Sequence, residues 1–154
     1  MKKIMIVDDN YLSAEGIEKN IDWETLNAEI IHVCYNGTSA IEAMKKEPAD
    51  LIISDIEMPD LDGISMSRQA LEINPMVKII LISAYDKFEY ARRALLLGAL
   101  DYIEKPLDYA YLIQKVKNAF ALMEKEQKNL QLLKQSRPLL TEKFFREITH
   151  LPSS

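Results

Sequence analysis

The sequence predicts a doubly wound α/β domain built around a five-stranded parallel sheet. Five short runs rich in Ile, Leu and Val alternate along the chain with segments in which apolar residues recur every three or four positions. This change of period distinguishes strands from amphipathic helices. The first, third and fourth runs are almost continuously apolar, as expected of strands that helices cover on both faces. Such alternation is typical of parallel sheets with right-handed crossovers.

The predicted strands are residues 3–7, 29–35, 51–54, 78–83 and 100–104, and the segments between them are expected to be helical. In the first helix, Leu12, Ile17 and Ile21 have a spacing that predicts a buried face.

The second to fourth helices are predicted from their end signals. A turn at Asn36 precedes the second helix, and the three-residue spacing of Ser39 and Glu42 predicts a capping box there. Asn74, followed by proline, is expected to end the third helix, and Gly98 to supply the left-handed residue after the fourth.

The fifth helix is predicted to start after Asp108 and to continue through a Lys/Glu/Gln-rich stretch until Pro138. Residues 1–123 are expected to form the compact domain and residues 124–154 a helical linker, because a compact domain of this kind does not need the extension. The apolar stripe of the linker suggests a partner, either a second copy or a following domain. A helix that folds back on its own domain is the alternative.

Composition and charge narrow the classes of function. The chain has 154 residues and a mass of 17.7 kDa, enough for one domain with an appendage. Its net charge of -5 argues against nucleic-acid binding by this segment alone. The lone Cys34 permits no internal disulfide and is interpreted as a small buried side chain. No apolar run approaches the roughly 20 residues that span a bilayer and no signal peptide is recognisable, so we expect a cytoplasmic protein.

Polar side chains follow four of the five predicted strands. Asp8 and Asp9 end the first strand, Asp55 the third, Ser83 the fourth and Lys105 the fifth. The carboxyl ends of parallel strands share one edge, and ligands of open α/β sheets bind there. We therefore expect these five side chains to lie in one crevice.

The expected crevice has the chemistry of a phosphoryl-transfer site. Two carboxylates about 4 Å apart repel each other by about 4 kcal/mol at an effective dielectric constant of about 20, and Mg²⁺ would relieve that repulsion. Lys105 would add a positive charge and Ser83 a hydroxyl donor, a set able to surround the oxygens of a phosphoryl group in transfer. A single aspartate at a strand end is usually a helix cap or a turn residue. The combination at four strand ends favours the functional interpretation.

The chain resembles the receiver domains of two-component response regulators. The resemblance covers residues 1–123 and rests on Val7-Asp8-Asp9-Asn10, Asp55-Ile56-Glu57-Met58-Pro59 with Gly63, Ser83-Ala84, and Lys105-Pro106. Further stretches are similar to the YesN-like subgroup that precedes AraC-type DNA-binding domains: Ile21-Asp22-Trp23-Glu24 and Leu97-Gly98-Ala99-Leu100-Asp101-Tyr102. The resemblance implies the flavodoxin-like strand order 2-1-3-4-5.

The resemblance also implies a phosphoacceptor and a metal site. Asp55 would accept a phosphoryl group from a sensor histidine kinase. Mg²⁺ would be held by Asp8, Asp9 and Asp55, with the backbone carbonyl of Glu57 as a further ligand. The domain would catalyse only its own phosphorylation and dephosphorylation, and would not be an enzyme acting on a separate substrate.

The same resemblance implies a switch and an output. Ser83 and Lys105 would contact the phosphoryl oxygens, and the peptide bond between Lys105 and Pro106 would be cis. Tyr102, together with Ser83, would report phosphorylation to the face formed by the fourth helix, the fifth strand and the fifth helix. A homodimer through that face, continued by the linker helix, would regulate transcription. DNA binding is expected from an AraC-type domain beyond this segment, and no membrane contact is expected.

Three other functions share parts of this pattern. A Mg²⁺-dependent aspartyl-phosphate hydrolase would have its nucleophile after the first strand and an acid two residues later, whereas Asn10 stands at that position. A flavodoxin-like FMN carrier would offer hydroxyls and amides to phosphate in the first loop, where Asp8 and Asp9 instead repel it. A dimerisation module that does not use phosphorylation stays open, and a phosphorylation-dependent change in oligomeric state would distinguish it.

Overall fold

The computed structural model describes residues 1–84, 89, 92–93, 96, 98–99 and 101–136 of the chain. One sheet is formed by β1 (Lys2–Val7), β2 (Ala28–Cys34), β3 (Leu51–Asp55), β4 (Lys78–Ser83) and β5 (Asp101–Glu104). The strand order is β2-β1-β3-β4-β5, with parallel pairing of neighbours. The predicted fold class and strand order are confirmed.

The helices that the structure describes in full are α1 (Tyr11–Asn20), α2 (Gly37–Lys46), α3 (Gly63–Ile73) and α4 (Tyr109–Ser136). The helix here named α4 is the fifth predicted helix. The fourth predicted helix falls largely outside the described residues. The predicted end of the linker at Pro138 also lies outside them.

Asparagine and aspartate side chains cap the first three helices. Asn10, Asn36 and Asp62 accept backbone N–H groups from the first turns of α1, α2 and α3. The predicted capping box at Ser39 is wrong, because its N–H donates to Asn36 Oδ1 at 2.7 Å and the helix begins at Gly37. The side chain of Asn36, three residues earlier, is thus the cap that accepts a free N–H group of the first turn.

Three other predicted helix signals are confirmed. Asn74 is the C-terminal cap of α3, and Gly98 has a φ of 105°, in the left-handed region that glycine tolerates. Asp108 caps α4, since its Oδ1 accepts the N–H of Ala110 at 3.0 Å.

The core lies on both faces of the sheet. All residues of β3, the last four of β1 and the last five of β4 are buried, as the continuously apolar runs predicted. In α1, Ala14 and Ile17 are buried, but Leu12 is 78% exposed and its predicted inward position is wrong. Leu12 precedes Ile17 by five residues, which is about 140° around a helix. Cys34 is buried and free, as predicted.

Asp50 connects three strands at the amino edge of the sheet. The N–H of Lys3 donates to Asp50 Oδ2 at 2.8 Å, and the N–H of Asp50 donates to the carbonyl of Lys3 at 2.7 Å. The N–H of Lys78 donates to the Asp50 carbonyl at 3.0 Å. The turn before β3 thereby aligns the starts of β1, β3 and β4.

The chain divides into two compact units, Met1–Ala119 and Phe120–Ser154. The first contains all five strands and α1 to α3, and the second contains the end of α4. The predicted domain boundary at residue 123 stays a prediction. Within the described part of the chain, no helix combines the length and the hydropathy that crossing a bilayer requires.

Candidate functional site

Three carboxylates converge at the carboxyl edge of the sheet. Val7 pairs with Ser54, so Asp8 and Asp55 leave neighbouring strands side by side. Carboxylate oxygens of Asp8, Asp9 and Asp55 all lie within 4.8 Å of one another. Asp8 and Asp55 are 2% and 7% exposed, and Asp9 is exposed. The first loop and the end of β3 therefore concentrate negative charge in a largely buried place.

Lys105 brings a positive charge to these carboxylates. Its Nζ lies 3.4 Å from Asp55 Oδ2 and 3.8 Å from Asp8 Oδ2. Its backbone N–H donates to the carbonyl of Ser83 at 2.7 Å, which continues the β4–β5 pairing by one residue. The peptide bond between Lys105 and Pro106 is cis.

Burial makes the negative charges costly. It raises the pKa of Asp55 to about 6, and the adjacent Asp8 carboxylate adds to the rise while Lys105 opposes it. Burial also raises the pKa of Asp8, against the effects of the Asn10 N–H and of Lys105. One lysine therefore does not compensate for the charge of this cluster.

Ser83 contributes a buried hydroxyl that has no hydrogen-bond partner among the described residues. Its Oγ is buried and makes no hydrogen bond to any residue that the structure describes. More than nine in ten buried polar groups in proteins are bonded, so an unbonded hydroxyl beside a candidate site indicates a ligand. Ser83 ends β4, between the chain ends that carry Asp55 and Lys105.

The loop after β3 is held close to the backbone of Asp55. The N–H of Gly63 donates to the Ile56 carbonyl at 2.8 Å. A side chain at Gly63 would collide with the carbonyl of Asp55 and with Cα of Ile56. The loop also contains the exposed Glu57 and Asp60, which has a φ of 77°. The start of α3 thus fixes the segment that follows the buried aspartate.

Asn10 is a site residue to which the sequence pattern assigned no role. Its side chain caps α1 by accepting the N–H groups of Leu12 and Ser13. Its own N–H donates to Asp8 Oδ1 at 2.9 Å. The cap therefore orients the Asp8 carboxylate as well as the helix. The sequence signal that could have predicted this role was the position of Asn10, a residue type common at N-caps, directly between the acidic pair Asp8-Asp9 and a helical pattern.

The donor set fits a hard divalent cation. Carboxylate oxygens are the ligands that Mg²⁺ and Ca²⁺ prefer, and three of them lie within reach of a single ion. A cation there would oppose the effects of burial and of the Asp8 carboxylate, which together raise the pKa of Asp55. The sequence-predicted residues Asp8, Asp9, Asp55 and Lys105 are thus brought together.

The family follows from comparison with known proteins. Residues 4–117 match the family model described as the response regulator receiver domain. The chain belongs to this family. The predicted resemblance is confirmed, and the acidic cluster lies at the carboxyl edge of a receiver domain, the signalling module of two-component systems.

Two transcriptional regulators illustrate the relationship of this receiver domain to longer proteins. The uncharacterized regulator YesN of Bacillus subtilis is 29% identical over 126 residues, which are 82% of this chain and 34% of YesN. The regulator HptR of Staphylococcus aureus is 30% identical over 112 residues, which are 73% of this chain and 44% of HptR. The chain spans less than half the length of these curated relatives.

Two solved structures match this chain over nearly their whole length. The REC domain of AraT, a response regulator of Geobacillus stearothermophilus, has a TM-score of 0.78 and 34% identity, covering 82% of this chain and 98% of that one. The two component transcriptional regulator AraC of Clostridium phytofermentans has a TM-score of 0.77 and 31% identity with the same coverage. Both support the predicted similarity to AraC-associated regulators.

Proposed function

We propose that this receiver domain accepts a phosphoryl group on Asp55 from the phosphohistidine of a sensor histidine kinase. The observation that carries the proposal is the position of this buried carboxylate, clustered with those of Asp8 and Asp9 and 3.4 Å from the ammonium group of Lys105. A nucleophile, a cation site and a positive side chain are what phosphoryl transfer needs.

In the transfer, a carboxylate oxygen of Asp55 forms a bond to phosphorus. The phosphorus–nitrogen bond breaks, and the imidazole leaves with the electron pair. Lys105 orients the attacking carboxylate and stabilises charge on the phosphoryl oxygens. The Ser83 hydroxyl, which is buried without a partner among the described residues, donates to one of those oxygens.

The metal ligands of the proposal are the carboxylates of Asp8, Asp9 and Asp55 and the backbone carbonyl of Glu57. Bound Mg²⁺ supplies positive charge against the carboxylates and the phosphoryl oxygens. Asn10 keeps Asp8 oriented toward this place through its backbone N–H. Lys105 keeps the ionised form of Asp55 available.

Tyr102 is the proposed switch residue. Leu81 pairs with Tyr102 and Ser83 with Glu104, so Tyr102 and Ser83 project from the same face of neighbouring strands. A surface cavity of about 340 Å³ is lined by Tyr102, Pro106 and Tyr111 among others. Movement of Ser83 toward the phosphoryl group would let the Tyr102 ring turn, which changes the surface of β5 and α4.

The proposed output is dimerisation of a transcriptional regulator. An aspartyl phosphate carries about 1.5 to 2 negative charges, compared with one on the ionised carboxylate, and the Tyr102 switch passes this event to the face formed by the fourth predicted helix, β5 and α4. The extension of α4 continues the dimer contact toward an AraC-type DNA-binding domain of the longer protein. The domain catalyses only its own phosphorylation and dephosphorylation, and it acts in the cytoplasm.

Intact-mass spectrometry tests the acceptor. After incubation with acetyl phosphate and Mg²⁺, the wild-type chain should gain one phosphoryl group, and a chelator should prevent the gain. Asp55→Asn should gain none. Asp62→Asn is the matched control, because asparagine caps α3 as well as aspartate does, and it should be labelled like the wild type.

Two results would contradict the proposal. One is undiminished labelling of Asp55→Asn, which would place the acceptor elsewhere. The other is labelling at the same rate in the presence of chelator, which would remove the metal from the reaction.

A further inference from the structure

The last turns of α4 present an apolar seam with coiled-coil spacing. Met123, Glu126, Leu130 and Leu133, here called the linker seam, follow one another at intervals of three, four and three residues within a continuous helix. These intervals place the four side chains on one side of the helix, at the core positions of successive heptads. Leu130 and Leu133 are 49% and 51% exposed, so the seam offers an apolar surface at its C-terminal end.

The positions that flank the linker seam permit pairing between identical chains. Gln127 and Asn129, which flank the linker seam, are uncharged, and the flanking Lys134 would face Asn129 of a second copy in a parallel pair. No like charges therefore meet across such a pair at the flanking positions, whereas the two Glu126 carboxylates would meet within the seam. The neighbouring charged residues lie on the side of the helix away from the seam: Glu124, Lys125 and Lys128.

We infer that the linker seam binds the same seam of a second copy of this chain as a parallel, in-register, two-stranded coiled coil. The pairing is weak in the native sequence for two reasons. The described seam provides only about two heptads, and Glu126 occupies a core position, where a polar residue lowers stability. Weak pairing suits a linker whose association is decided by another part of the protein.

This inference deepens the proposed function, on which it rests for the coupling to phosphorylation. The pairing itself requires no phosphoryl group. The experiments below use unphosphorylated protein without metal. If the linker seam does not pair, the proposal that Asp55 is the phosphoacceptor is therefore unaffected. If Asp55 is not labelled by acetyl phosphate, the inference about the seam is likewise unaffected.

Sedimentation equilibrium of the full chain tests the seam with two matched pairs of variants. Glu126→Leu should tighten dimerisation at least tenfold, whereas Glu124→Leu on the outer side should leave it unchanged. Leu130→Asp should weaken dimerisation at least tenfold, whereas Leu132→Asp should not, although Leu132 is 55% exposed. Circular dichroism should show equal helix content within each pair.

Disulfide crosslinking tests the parallel register in a Cys34→Ser background. Leu133→Cys should form an interchain disulfide with itself under mild oxidation, because equivalent core positions meet in a parallel pair. Leu132→Cys should crosslink much more slowly. The inference is overturned if Glu124→Leu tightens dimerisation as much as Glu126→Leu, if Leu130→Asp and Leu132→Asp act equally, or if the two cysteine variants crosslink at the same rate.

Discussion

At the residue scale, the buried carboxylate of Asp55 costs the metal-free domain stability. Its pKa rises from 3.8 to about 6 on folding because burial disfavours the charge. The unfolded chain therefore loses this proton at a lower pH than the folded chain. Stability should fall as pH rises from about 4 to about 6 and stay lower above that, by up to about 3 kcal/mol.

Asp55→Asn should remove this part of the pH dependence and be more stable than the wild type at pH 7 in the presence of chelator. Urea unfolding followed by the fluorescence of Trp23, which is buried and the sole tryptophan, measures both effects. Equal stability of the two proteins at pH 7 would show that burial of the carboxylate carries no such cost.

Asn10 combines a structural and a site contact, and the two can be separated. Asn10→Ala should lower the free energy of unfolding by about 0.5 to 2 kcal/mol through loss of the cap. It should also weaken Mg²⁺ binding, because without the cap the backbone of residue 10, whose N–H orients the Asp8 carboxylate, is held less firmly. Asn36→Ala removes the equivalent cap of α2 at a comparable cost in stability. Mg²⁺ titration by calorimetry should be altered only by Asn10→Ala, and the same change in both variants would refute the site role of Asn10.

At the scale of elements, the approach of α3 to β3 makes one glycine irreplaceable. Gly63→Ala would push its methyl group against the backbone of Asp55 and Ile56, which cannot move away. It should lower stability by about 1 to 3 kcal/mol and slow the labelling of Asp55 by acetyl phosphate.

Gly16→Ala is the matched control. The added methyl group there meets the hydroxyl end of Tyr109, a side chain that can shift, and alanine is the better helix former by about 0.5 to 1 kcal/mol. Urea unfolding should show little loss for Gly16→Ala. If it destabilises as much as Gly63→Ala, the close backbone approach is not what matters at Gly63.

The sequence predicted the elements well where one periodicity dominates. The buried strands gave continuous apolar runs, so β1, β3 and β4 were placed within one residue of their ends. The cap residue of a helix and the burial of a single side chain were harder to predict, because several neighbouring residues have suitable side chains. Ser39 has the spacing of a capping box, yet Asn36 forms the cap. Leu12 is apolar, yet it lies about 140° around α1 from the buried Ile17 and is 78% exposed.

At the scale of the whole molecule, the switch and the acceptor should be separable. Tyr102→Ala should still be labelled at Asp55, because the tyrosine is not one of the groups around the acceptor, but its phosphorylation should no longer favour the dimer. Sedimentation before and after labelling measures this. Tyr35→Ala, at the other edge of the sheet, is the control and should keep the response. Phosphorylation-dependent dimerisation of Tyr102→Ala would refute the switch.

The convergence of Asp8, Asp9, Asp55 and Lys105 was predictable, because a parallel sheet brings the ends of its strands to one edge. Features that depend on three-dimensional packing were not. The unbonded hydroxyl of Ser83 depends on what surrounds it in the fold. The periodicity of apolar residues in the sequence does not predict which buried polar atoms find a hydrogen-bond partner.

The turn that Asp50 organises is a suitable place to modify this protein for experiments. It lies at the opposite end of β3 from the acceptor, and the five residue steps from Asp50 to Asp55 extend about 16 Å along a strand. The exposed residues Glu47 and Pro48 just before it are therefore a suitable place to attach a fluorophore or insert an affinity peptide. A reporter there would let signalling be followed in living cells while the chemistry proceeds undisturbed at the far rim.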